Sequence, residues 1–111
     1  MYESIVYDLQ AELCHAMSHS ARQKIIHILG GGQLSVGEIS SKIEVGQSAV
    51  SRHLAILRRS GLVTTERHGQ EIYYQVANPK ITEVCDLMRK VLTEQNTERI
   101  KMMAEFNENN W

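Results

Sequence analysis

Gly46-Gln-Ser-Ala-Val-Ser-Arg-His-Leu-Ala-Ile-Leu-Arg-Arg-Ser-Gly-Leu-Val63 is the stretch that decides the fold. Val50, Leu54 and Leu57 recur at helical spacing and mark a face to be buried. Gln47, Ser48, Ser51, Arg52 and His53 supply hydrogen-bond donors and acceptors near the helix start. A helix with such groups at its N-terminus has the chemistry to enter a major groove and contact base edges. Polar helix starts also serve as caps, so this segment by itself leaves an ordinary surface helix open. Arg58 and Arg59 fall on the last turn and Gly61 ends it, which places the helix at about residues 47–60.

The flanks make that helix part of a larger unit. Upstream, Leu34–Ile43 reads as a short helix with Val36, Ile39 and Ile43 on one face, and Ser35 stands three residues before Glu38, the spacing of a capping box. The link Glu44-Val45-Gly46 is short and holds one glycine, as the turn of a helix-turn-helix requires. Downstream, Leu62–His68 and Glu71–Ala77 are rich in β-branched and aromatic residues and flank Gly69-Gln70, the pattern of a hairpin over about residues 62–77. Arg67 and His68 stand near its tip. The expected fold is mainly α with a small β-hairpin wing, a winged helix-turn-helix.

Several runs resemble the ArsR/SmtB family of bacterial repressors, in that family's order and across roughly residues 9–92. They are Ala16-Met-Ser-His-Ser-Ala-Arg-Gln-Lys-Ile-Ile-His-Ile-Leu29, Leu34-Ser-Val-Gly-Glu-Ile39, Gln47-Ser-Ala-Val-Ser-Arg-His-Leu54, Leu57-Arg-Arg-Ser-Gly-Leu-Val63 and Ile72-Tyr-Tyr74. The resemblance implies a DNA-binding transcriptional repressor that sits as a homodimer on a palindromic operator. On that reading Gln47, Ser48, Ser51 and Arg52, with His53 beside them, contact bases or phosphates, and Arg67 and His68 contact the backbone or minor groove from the wing. A winged helix turned to protein contact is the rival reading, and the concentration of Arg52, Arg58, Arg59 and Arg67 argues against it.

Composition agrees with one small domain. The 111 residues are expected to form a single unit over about 1–106, with a frayed tail at 107–111. No run approaches the 18 or more apolar residues of a membrane span, and the start, with Glu3 and Asp8, lacks the pattern of a secretory signal. A cytoplasmic protein is expected, its two cysteines free thiols. The net charge of −1 departs from the usual basic footprint of a nucleic-acid binder. Its distribution answers that objection: Lys42–His68 carries Lys42, Arg52, Arg58, Arg59 and Arg67 against Glu44 and Glu66, while residues 1–19 hold Glu3, Asp8 and Glu12 and no Lys or Arg. DNA binding with marked salt sensitivity follows. An enzyme is not expected, because Gly30-Gly31-Gly32 lacks the Lys-Ser/Thr of a phosphate loop and reads as a helix-ending turn.

Both ends of the chain point to self-association. Residues 2–17 place Ile5, Val6, Leu9, Leu13 and Met17 on one stripe, and after Asn78-Pro79 a helix from about residue 79 repeats Ile81, Val84, Leu87, Met88, Val91 and Leu92. The resemblance implies that the first and last helices pack against their counterparts in a second subunit. A twofold dimer presents two reading helices about one DNA turn apart. Ile100, Met102, Met103 and Phe106 extend the pattern, and Trp111 is left either packed on the dimer or exposed.

Sensing is read from Cys14 in the first helix and Cys85 in the last. They fit a thiol switch released by a persulfide or oxidant, or two small buried hydrophobes. The family members that sense through cysteine pairs carry the first cysteine in the second helix, near His27 here, so the likeness is chemical and not positional. A soft metal or metalloid ion such as As(III), Cd(II) or Cu(I) is the alternative, with Cys14, His15, His19 and Cys85 as weak ligand candidates. The family's Cys-x-Cys motif is replaced by Ser35-Val36-Gly37, and its last-helix zinc site is missing because that helix has Asp86 but no histidine. No cofactor is implied beyond such a regulatory ion. His27 is expected to be a core histidine.

Overall fold

The computed structural model describes residues 1–109. Six helices and three strands follow in the order α1 (Tyr2–Ala16), α2 (Ser20–Leu29), β1 (Leu34–Ser35), α3 (Val36–Ile43), α4 (Gln47–Arg59), β2 (Val63–His68), β3 (Glu71–Val76), α5 (Pro79–Gln95) and α6 (Thr97–Asn109). Ile25, Ile26 and Leu29 from α2, Ile39 from α3, and Val50, Leu54 and Leu57 from α4 fill one core, closed by Leu62 and Val63 where the chain enters the wing. Each such aliphatic side chain contributes about 1.5–3 kcal/mol on full burial. That core fixes the rotation of α4 about its axis, and with it which residues face out.

The capping box forms as expected. Ser35 Oγ accepts the Glu38 N–H at 3.3 Å, and Glu38 Oε1 accepts the Ser35 N–H at 3.0 Å. The helix begins later than expected, however, because Leu34 and Ser35 are strand. A capping residue keeps extended backbone angles, here φ −80° and ψ 166°, and an extended segment beside a hairpin can join its edge. Leu34 pairs with Tyr74 and Ser35 with Tyr73, so the wing is a three-stranded antiparallel sheet in the order β1-β3-β2.

The helix-turn-helix link also differs in detail. Gly46 is the N-cap of α4 at φ −58°, while the left-handed residue that turns the chain is Glu44 at φ 56°. The Val45 N–H reaches the Ser40 carbonyl at 3.3 Å, and the Ser40 hydroxyl donates to the Val45 carbonyl. These bonds hold a non-glycine residue in a conformation it otherwise avoids.

Gly30 ends α2 as anticipated, for a packing reason. A β-carbon there would lie 2.7 Å from Thr82 Cγ2 of α5, so the glycine permits the close approach of α2 and α5. His27, expected in the core, is exposed instead and stands 3.7 Å from Asp86, on the flank of α2 that α5 borders but does not cover. Asn78 caps α5 through a 2.9 Å bond from the Lys80 N–H, with Pro79 following. The last helix breaks at Asn96, whose amide nitrogen donates to the Leu92 carbonyl, and α6 then runs to Asn109, through the start of the segment expected to fray. Trp111 lies outside the described residues.

The apolar stripes of the ends stay uncovered in the single chain. Ile5 of α1 is 57% exposed, Leu87 of α5 64% and Phe106 of α6 65%. The radius of gyration is 16.1 Å, against about 13 Å for a compact chain of this length, because these helices project from the core.

Candidate nucleic-acid interface

Gln47, Ser48, Ser51 and Arg52 are all exposed at the start of α4, opposite the buried Val50, Leu54 and Leu57. Gly46 caps the helix without a side-chain bond, and the first turn carries no acidic residue. The N-terminus therefore offers open amide donors and the positive end of the helix dipole, with no carboxylate to repel a phosphate. Ser51, Arg52, Arg58 and Arg59 line a groove between α4 and the sheet, which Tyr74 closes on the wing side. Hydrogen-bonding side chains at the helix tip and guanidinium groups along its flank suit base edges and backbone phosphates respectively.

His53 does not join this group. It is partly buried, with its ring centroid 4.5 Å from that of His19, and its pKa is lowered, first by burial and then by His19, Arg22 and Arg52. Position 53 falls on the flank of α4 that meets the start of α2, a placement set by tertiary packing. His19 caps α2 by accepting the Ala21 N–H on Nδ1 at 3.2 Å.

On the wing, Arg67 is exposed and its Nε donates to the Gly69 carbonyl at 3.1 Å, which steadies it at the hairpin tip. His68 is turned to other partners: its Nε2 lies 3.1 Å from Gln33 Oε1 and 3.6 Å from Glu66. Gln33 in turn donates through Nε2 to Glu66 and to Gln75 Oε1. Gln33 thus braces the wing from the loop after α2, a role the sequence reading did not give it. Its partners lie 33 and more residues away, beyond any local pattern.

The two sensing candidates stand in different surroundings within one chain. Cys14 is exposed on α1, whereas Cys85 is buried against the core, and both are free thiols. Burial pushes the Cys85 thiol pKa up, which lowers its thiolate fraction. Among the described residues no three of His, Cys, Asp and Glu cluster as metal ligands, so Cys14, His15, His19 and Cys85 assemble no site within a protomer. Among the described residues no helix is long and apolar enough to cross a membrane.

Comparison with known proteins supports the same placement of the helices. Residues 19–65, from the cap of α2 into β2, match the family model described as bacterial regulatory protein, arsR family. Transcriptional activator HlyU of Vibrio cholerae is 38% identical over 84 residues, which cover 76% of this chain and 78% of that protein. Its reduced form superposes with a TM-score of 0.72 at 34% identity, covering 81% of this chain and 95% of the other. A biofilm growth-associated repressor of Xylella fastidiosa is 32% identical over 77% of this chain and 75% of its own length. The homodimeric winged helix-turn-helix DNA-binding domain Mb0332 from Mycobacterium bovis superposes with a TM-score of 0.75 at 25% identity, covering 83% of this chain and 85% of that one. With relatives this similar over most of its length, and the family model matched across its central helices, the chain belongs to the arsR family of bacterial regulatory proteins.

Proposed function

We propose that this protein is a homodimeric transcriptional repressor that binds a palindromic operator and leaves it when a thiol-reactive inducer acts at Cys14 and Cys85. The observation that carries the DNA reading is the exposed face of α4, where Gln47, Ser48, Ser51 and Arg52 surround a helix N-terminus free of acidic residues. Dimerisation is supported by the uncovered stripes of α1 and α5 and by the homodimeric state of the Mycobacterium bovis neighbour. Repression is supported by the Xylella fastidiosa relative, although the Vibrio cholerae relative is named an activator. In the thiol step the solvent-open Cys14 thiolate attacks a polysulfide and keeps one sulfur as a persulfide while the shortened polysulfide leaves. When the packing around Cys85 opens, its thiolate attacks the inner sulfur of that persulfide, forming a disulfide and expelling hydrogen sulfide. Closing a link between α1 and α5 then favours a dimer whose reading helices no longer match the groove spacing. A tenfold loss of affinity needs only about 1.4 kcal/mol of differential stabilisation.

Fluorescence anisotropy on a labelled duplex from the region upstream of its own gene tests this. The reduced protein binds that duplex more tightly than a scrambled one, and Arg52→Ala weakens binding by about 1–3 kcal/mol. Equal affinity for both duplexes overturns the repressor reading. Polysulfide releases the protein and a reductant restores it. The same release from a Cys14→Ser, Cys85→Ser variant overturns the thiol part alone.

A further inference from the structure

The contact between His19 and His53 joins the start of α2 to the middle of α4. The rings lie 4.5 Å apart between centroids and tilt by 55°. His19 Nδ1 accepts the Ala21 N–H, so the neutral ring carries its proton on Nε2. His53 Nδ1 is shielded from solvent and has no hydrogen-bond partner, so a proton on it meets neither water nor an acceptor.

The surroundings oppose positive charge as well. The charged and titratable groups acting on His53 are His19 and Arg22 from α2 and Arg52 on its own helix, and no carboxylate is among them. Neither α3 nor β2, which also pack on α4, brings a charged group that acts on the ring. Arg22 is anchored in turn, donating to the Ala16 carbonyl at the end of α1 at 3.0 Å, so the cluster touches the turn between the first two helices.

Resting on the reading of α4 as the DNA-contacting helix, we propose that the His19–His53 contact is a proton-operated release device, in which protonation separates the start of α2 from α4 and lowers DNA affinity. The sign follows from the folded-state preference. His53 has its pKa below the ordinary value of about 6.5, so opened forms take up the proton more readily than the closed one. The closed junction is fully stable above about pH 6.5 and is weakened as pH falls through and below that value. General gain of positive charge in acid acts the other way, since it strengthens attraction to phosphates. A fall in affinity on acidification is therefore diagnostic.

The full-length protein is titrated from pH 7.5 to 5.5 at constant salt, with NMR of the histidine rings and backbone amides, and with anisotropy on the labelled upstream duplex. His53 is expected to titrate below the usual histidine range while the amides of Gln47–Arg59 shift with it. Duplex affinity is expected to fall several-fold over the same range. His19→Asn keeps a capping oxygen and removes the ring that faces His53. It should bind as wild type at pH 7.5 and lose under twofold in acid, and His53→Gln should show the same loss of pH dependence. Wild-type acid release persisting in both variants overturns the proposal, as does titration of His53 at its ordinary value with no movement of α4. If the duplex is not bound at any pH, the DNA reading fails, and the ring and amide titration still decides whether the junction opens.

Discussion

Cys14 and Cys85 carry the same side chain into two different environments. One stands on an exposed helix face and the other is buried in the core cluster, where burial raises the thiol pKa. Thiolate is the reactive form, so their reactivities separate. Maleimide labelling of the reduced protein at pH 7.5 should modify Cys14 rapidly and Cys85 at least tenfold more slowly, with the difference abolished in denaturant. Equal rates in the native protein would show that Cys85 is open in solution. At this scale the sequence was informative where a residue's role depends on its own helix. Gln47, Ser48, Ser51 and Arg52 face out because Val50, Leu54 and Leu57 face in. The surroundings of His53 and His68 were not legible because their partners, His19 and Gln33, come from other elements.

Among the elements, the packing of α2 on α5 depends on Gly30. The missing side chain lets α2 end against Thr82, where an added methyl would meet Cγ2 at 2.7 Å and the His27 carbonyl at 3.1 Å. Gly30→Ala should destabilise the fold by about 1–3 kcal/mol, the usual penalty for overpacking. Thr82→Ser removes the nearer obstacle, so the pair of substitutions should cost less than their sum when thermal unfolding is compared in a double-mutant cycle. Strict additivity would mean that the helices separate freely at this point. The three glycines were legible as a helix stop, but the contact that demands Gly30 was not, because Thr82 lies far along the chain. The capping box at Ser35 and Glu38 was fully legible, since both partners lie within one turn. The pairing of β1 with β3 was not, because two residues are too few to carry a strand pattern.

For the whole molecule, the projecting α1, α5 and α6 leave more apolar surface than one chain of this size covers. Leu87 is 64% exposed on the stripe of α5, so a charge there costs little in a monomer and much at an apolar interface. In the proposed homodimer, Leu87→Glu should shift the protein from dimer to monomer in analytical ultracentrifugation while keeping its helical content. On the proposed DNA reading, operator affinity should fall with it, because each monomer holds a single copy of α4. A variant that remains dimeric would move the interface away from α5.

Local chemistry by itself determined the winged helix, the buried triad of α4, the caps and the outward-facing residues at the start of α4, because helix periodicity and capping act over a few residues. Tertiary structure alone decided the third strand of the wing, the brace from Gln33, the surface position of His27, the burial of Cys85 against the exposure of Cys14, and the meeting of His19 with His53. Each of these depends on elements distant in the chain, whose approach is set by how the shared core fills and not by any neighbour in sequence.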